Sequence, residues 1–88
     1  MRFQFDPTKA ASNLKKHGVS FADAEGVFAD PLAAHRTDPD SEGEERFIAL
    51  GPGNAGHELV VSYTLRGNEI RPIFARRATR REVKAYAS

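Results

Sequence analysis

Glu58-Leu59-Val60-Val61-Ser62-Tyr63-Thr64-Leu65, followed by Arg66-Gly67-Asn68, is the stretch that decides the fold. Side chains alternate across a strand, so Leu59, Val61, Tyr63 and Leu65 share one apolar face. Arg66-Gly67-Asn68 is turn chemistry, and residues 70–76 read as a second strand, which makes an antiparallel hairpin. Pro72 lacks a ladder donor and marks its strand as an edge or the site of a bulge. Upstream, residues 46–50 form another strand, separated from the hairpin by the turn residues Gly51, Pro52, Gly53, Asn54 and Gly56. Residues 33–37 make a short strand, and 38–45 a loop.

The N-terminal third follows a helical period. Arg2, Phe3, Gln4 and Phe5 form a short strand or extended lead-in. Asp6 caps a helix that begins at Pro7, where a missing N–H does no harm, and ends about Lys16 with Gly18 as its stop. Ser20 opens a second helix with Asp23 three residues on. Phe21, Ala24, Val27 and Phe28 line its apolar face, and Asp30-Pro31 halts it. At the other terminus Thr79 and Glu82 complete a Thr-x-x-Glu capping box for a short helix to about Ala87. The predicted fold is α+β: two N-terminal helices, an antiparallel sheet of three to four strands and a short C-terminal helix. The helices are expected on one sheet face, with the other free for a ligand.

A chain of 88 residues, 40% hydrophobic, suits one domain (1–88) with one core. It has no cysteine, hence no disulfide or thiolate chemistry, which fits a reducing cytoplasm. No apolar run approaches a membrane span and no signal-peptide pattern opens the chain, so a soluble cytoplasmic protein without membrane contact is expected. P-loop and dinucleotide glycine patterns are missing. His17, His35 and His57 lack metal-ligand spacing and the acidic loop lacks a calcium-loop pattern, so no metal and no cofactor are expected. The net charge of +1 conceals segregation: residues 66–88 hold seven Lys or Arg against two acids, whereas 38–45 hold five acids and no base. A basic end of this kind suits a polyanion, RNA or DNA.

Phe5-Asp6, then Lys9 and Asn13, then Lys16-His17-Gly18-Val19-Ser20-Phe21 resemble the N-terminal signature of the BrnT family, toxins of type II toxin–antitoxin systems. Ala24, Val27-Phe28, Asp30-Pro31, Glu45-Arg46, Ala75-Arg76-Arg77-Ala78, Glu82 and Tyr86 continue the likeness along nearly the whole chain. The resemblance implies a RelE-like fold, ribonuclease activity and neutralisation by a BrnA-type antitoxin. That antitoxin would carry the DNA-binding domain, so DNA would be met only indirectly. Two positions depart from the family pattern: Phe5 stands where Trp is common, and Pro72 where an aliphatic residue is usual. A bend at Pro72 would shift Arg71 or Arg76.

A metal-independent ribonuclease cleaves by attack of the ribose 2′-OH on the adjacent phosphate. The enzyme must accept a proton from that hydroxyl, neutralise charge on the phosphate oxygens and protonate the leaving 5′-oxygen. Proton transfer by a positioned group contributes about 10²–10⁴-fold, charge stabilisation often more, and arginine's planar fork suits phosphate. The candidate catalytic residues are therefore Lys16, His17, Arg46, Arg76 and Glu82. His17 is the proton-transfer candidate, because imidazole as a side-chain type changes charge near physiological pH, although a cation at a helix C-terminus also has a purely structural use. Lys16 suits phosphate contact better than proton transfer. Arg46 competes with a structural role, a salt bridge to the acidic loop, and Arg76 is chosen on the resemblance. Glu82 is an acid or base candidate, yet the capping box with Thr79 already explains it completely.

Arg71, Arg77, Arg80, Arg81 and Tyr86 are the candidate RNA-binding residues. In a regular strand Arg71 and Arg77 share one side and Arg76 takes the other, a parity that a bulge would break. Tyr86 either stacks a base or packs the terminal helix. The competing function is a non-catalytic RNA-binding module, or a degenerate toxin acting only in an autoregulatory repressor complex. Direct DNA reading finds little support, because the first two helices carry acids and the basic residues lie elsewhere.

Overall fold

The computed structural model describes residues 2–87, which form β1 (Arg2–Phe3), α1 (Pro7–His17), α2 (Phe21–Ala29), β2 (Ala34–Thr37), β3 (Phe47–Pro52), β4 (Glu58–Arg66), β5 (Glu69–Arg77) and α3 (Arg80–Ala87). The strands make one sheet in the order β1-β5-β4-β3-β2. β2 to β5 form an antiparallel meander, and β1 lies parallel to β5, opposite Glu69 and Ile70. The expected antiparallel sheet of three to four strands is thus corrected to a mixed sheet of five. A strand of two residues is too short for its alternation to announce a partner 67 positions away. Among the described residues no helix is long and apolar enough to cross a membrane.

The helix ends follow their local chemistry. Asp6 accepts the Thr8 N–H at 2.8 Å, and Gly18 closes α1 at φ 71°, a left-handed conformation that favours glycine. Ser20 accepts the Asp23 N–H, but the reciprocal half of the box is not made. The Asp23 carboxylate instead accepts the Ala55 N–H at 2.7 Å, tying α2 to the β3–β4 turn. Thr79 and Glu82 make both bonds of their capping box, at 3.1 and 2.9 Å. Gly67, at φ 59°, takes the first place in the two-residue turn between Arg66 and Glu69.

α2 lays Phe21, Ala24 and Val27 on Ala49, Leu59, Val61, Tyr63 and Ala75 to form the core. α1 runs instead along the outer edge of β5, beyond the reach of β1. Asn13, only 5% exposed, donates to Ala75 O and Val19 O at 2.9 Å each and accepts the Ala75 N–H at 3.1 Å. Both Ala75 groups point away from β4, so the side-chain amide supplies what a sixth strand would have supplied.

α3 corrects the expectation that all helices share one face. It lies over the opposite one: Val83 and Tyr86 border Leu50, Glu82 holds Arg76, and Arg36 sits 4.2 Å above the Tyr86 ring. Leu50, Val60 and Arg76 form one cross-strand row on that face, whereas Ala49, Val61 and Ala75 form the adjacent row on the core side. α3 covers one end of this second face and leaves the remainder open.

Candidate nucleic-acid interface

The arrangement of the open face turns on a single inserted residue. Ser62 pairs with Phe74, but Tyr63 pairs with Pro72, so Ile73 is an extra residue in β5 and forms a β-bulge. Phe74 and Arg76 lie opposite Ser62 and Val60, and Arg71 lies opposite Thr64. These β4 partners alternate with the core residues Leu59, Val61 and Tyr63. Arg71, Phe74 and Arg76 therefore share the open face, and the regular-strand parity does not hold. Arg77, opposite Leu59, takes the helix-covered side, where it donates to His57 Nε2 at 3.2 Å.

α1 brings its last turn beside this face. Lys16 and His17 are exposed, and the His17 ring lies 6.1 Å from that of Phe74, tilted by 40°. They border a cleft of about 360 Å³ together with Lys9, Ser12, Asn13, Ile73 and Phe74. A second cleft, about 350 Å³, holds Arg46, Arg66, Arg71 and Thr64 along with Glu42 and Glu44 of the acidic loop. Lys9 and Ile73 border both, so the two clefts run into one another across the bulge.

The acidic loop makes its ion pair through Glu44 and Arg66, at 3.2 Å, rather than through Arg46. The Glu44 hydrogen bond raises the Arg66 guanidinium pKa further. Arg71 pairs with Glu69 at 2.9 Å. Such exposed pairs are worth little, so a phosphate could displace either carboxylate at small cost.

Arg76 is held differently. Its two terminal nitrogens donate to the two Glu82 oxygens at 2.8 and 2.7 Å, and Glu82 also accepts the Thr79 N–H. These bonds, that to Arg76 foremost, lower the Glu82 pKa to about 2 and raise that of Arg76. At neutral pH Glu82 is an engaged carboxylate with little affinity for a proton, so it holds Arg76 in place and is poorly suited to acid–base work.

Lys16, His17, Arg46, Arg71 and Arg76 thus come to one face. Arg80 and Arg81 are exposed on the first turn of α3. Arg77 lies on the other face, and Tyr86 packs beneath Arg36. Lys9, Arg66 and Phe74 join the face without having been singled out as site residues from sequence. The signal for Lys9 was its spacing: Lys9 and Lys16 are seven apart with Asn13 between, on one side of a helix. The side taken by Phe74 depends on the bulge. Among the described residues no cluster of His, Asp or Glu is placed to hold a metal ion.

The family model described as the ribonuclease toxin, BrnT, of type II toxin–antitoxin systems matches residues 5–82. The chain belongs to the BrnT family. The matched span takes in α1, α2, the bulge and the Arg76–Glu82 pair. Among solved structures, the chain is similar to the crystal structure of the Brucella abortus ribonuclease toxin, BrnT. The TM-score is 0.66 at 25% identity, over 91% of this chain and 99% of that one. No curated protein matches. As a BrnT protein the chain is a member of a ribonuclease toxin family, and an antitoxin partner follows from that membership.

Proposed function

We propose that the protein is a metal-independent endoribonuclease whose active surface is the open sheet face, held inactive by a BrnA-type antitoxin that covers it. The observation that carries this reading is the Ile73 bulge, which turns Arg71 and Arg76 to one face beside Lys16 and His17. The ribose 2′-oxygen attacks the adjacent phosphorus and the 5′-oxygen leaves. His17 either accepts the 2′-hydroxyl proton while water protonates the leaving 5′-oxygen, or donates to the 5′-oxygen while water takes the 2′-hydroxyl proton. Lys16, Arg46 and Arg71 hold phosphate oxygens, and Arg76, fixed by Glu82, stabilises the charge that grows in the transition state.

Arg80 and Arg81 extend the positive surface along the RNA. Arg77 and Tyr86 are left out of the contact set, the first by its face and the second by its packing. Residues 1–88 act as one toxin domain in the cytoplasm, DNA is met only through the antitoxin, and the RelE-like assignment rests on the family resemblance.

The test is to incubate end-labelled RNA with purified, antitoxin-free protein in EDTA and to identify the product ends. The expected products carry a 2′,3′-cyclic phosphate and a 5′-hydroxyl. Intact RNA that remains bound would replace this reading by the non-catalytic one, a binding module or degenerate toxin in a repressor complex.

A further inference from the structure

Phe74 is the phenylalanine that stands outside the cluster of core rings. Phe3, Phe5, Phe21, Phe28, Phe47 and Tyr63 form a connected chain of rings, with centroids 4.9 to 5.9 Å apart, on the helix-covered side. Phe74 lies on the opposite face and is half-buried. Among the described residues its ring meets one other, that of His17. Its cross-strand neighbour Ser62 is small and only 2% exposed, so it adds almost nothing to the accessible surface beside the ring. A regular β5 would not place Phe74 and Arg71 on the same side; the Ile73 bulge does.

The surroundings are those of a polyanion site. The cleft that Phe74 borders contains Lys9, Lys16 and His17 and no carboxylate. We propose that Phe74 is the stacking platform for an unpaired nucleobase, so that this face takes single-stranded rather than double-helical RNA. The inference rests on the reading of the open face as the RNA surface, and it adds the substrate class. Stacking needs the flat side of a base. In an A-form duplex those sides are covered by neighbouring bases and the grooves offer only edges and 2′-hydroxyls. An unpaired base laid on the ring leaves its own phosphates within the field of Lys9 and Lys16, the usual combination in single-strand binders.

The test is equilibrium binding of a non-cleavable 2′-O-methyl oligonucleotide carrying one 2-aminopurine, single-stranded or annealed to its complement, over a range of salt concentrations. Wild type, Phe74→Tyr and Phe74→Leu are compared. Wild type and Phe74→Tyr should bind the single strand more tightly than the duplex and quench 2-aminopurine fluorescence. Phe74→Leu should weaken single-strand binding about tenfold. Its salt dependence should stay unchanged, because no phosphate contact is lost. Salt-dependent binding that Phe74→Leu leaves untouched, or a preference for duplex, overturns this inference alone. Failure of the wild type to bind either form overturns the RNA reading with it. The wild-type fluorescence is a second readout that does not depend on any variant folding: salt-dependent binding without quenching counts against stacking.

Discussion

Glu82 is engaged on two sides, by the Arg76 guanidinium and by the Thr79 N–H. Because its folded pKa is depressed to about 2 from 4.5, the stability it contributes is present above 4.5 and is lost as pH falls through about 2. Glu82→Gln is expected to cost about 1–2 kcal/mol at neutral pH, the sum of a weakened cap and a lost charge-assisted pair. Urea denaturation should show the gap to wild type shrinking between pH 4.5 and 2; a gap that stays constant would refute the assignment. Asn13 carries a larger load, since its amide serves three backbone groups at once. Asn13→Ala should cost about 3 kcal/mol, because those groups stay buried without partners. Asn13→Asp should not restore the loss, as a carboxylate cannot donate to two carbonyls. Equal urea midpoints for Asn13→Ala and wild type would count against the edge-capping role. Asn13 was visible in the sequence as part of a family signature, but nothing local said that it closes a sheet edge 62 residues away.

Among the elements, those whose chemistry is local were legible. Asp6, Gly18, Ser20, Thr79 and Glu82 act within four residues of the helix ends they define, and each end falls where they put it. Pro72 flagged an irregular strand, and the extra residue is its neighbour Ile73. The side taken by α3 and the parallel pairing of β1 were not legible, because both are settled by contacts between distant parts of the chain. The same holds where α2 meets the β3–β4 turn. A Cβ at Gly26 would fall 2.6 Å from the Asn54 backbone nitrogen. Asn54 cannot easily retreat, since it bonds Asp23 O and Ala22 O. Gly26→Ala is therefore expected to destabilise by about 2 kcal/mol despite alanine's higher helix propensity. A urea midpoint above that of wild type would show that α2 and the turn are not in this contact.

At the scale of the molecule, the near-neutral total of +1 hides a division between the sheet's two faces. One buries the core. The other gathers Lys9, Lys16, His17, Arg46, Arg66, Arg71 and Arg76, with Glu42 and Glu44 of the acidic loop at its border. Charge segregation in the sequence pointed to a polyanion, and the family resemblance to RNA. Which arginines face the same way was beyond the sequence, because one inserted residue reverses the parity of half a strand. Arg71 and Arg77 are the informative pair: both are exposed arginines of β5, yet they lie on opposite faces. The most direct measurement is RNA cleavage in EDTA by wild type, His17→Ala, Arg71→Ala and Arg77→Ala. The account predicts that wild-type cleavage survives EDTA and that His17→Ala loses about 100-fold or more. Arg71→Ala should lose activity with a shallower salt dependence, and Arg77→Ala should stay within about twofold of wild type. Cleavage abolished by EDTA, or an Arg77→Ala protein as impaired as Arg71→Ala, would contradict it.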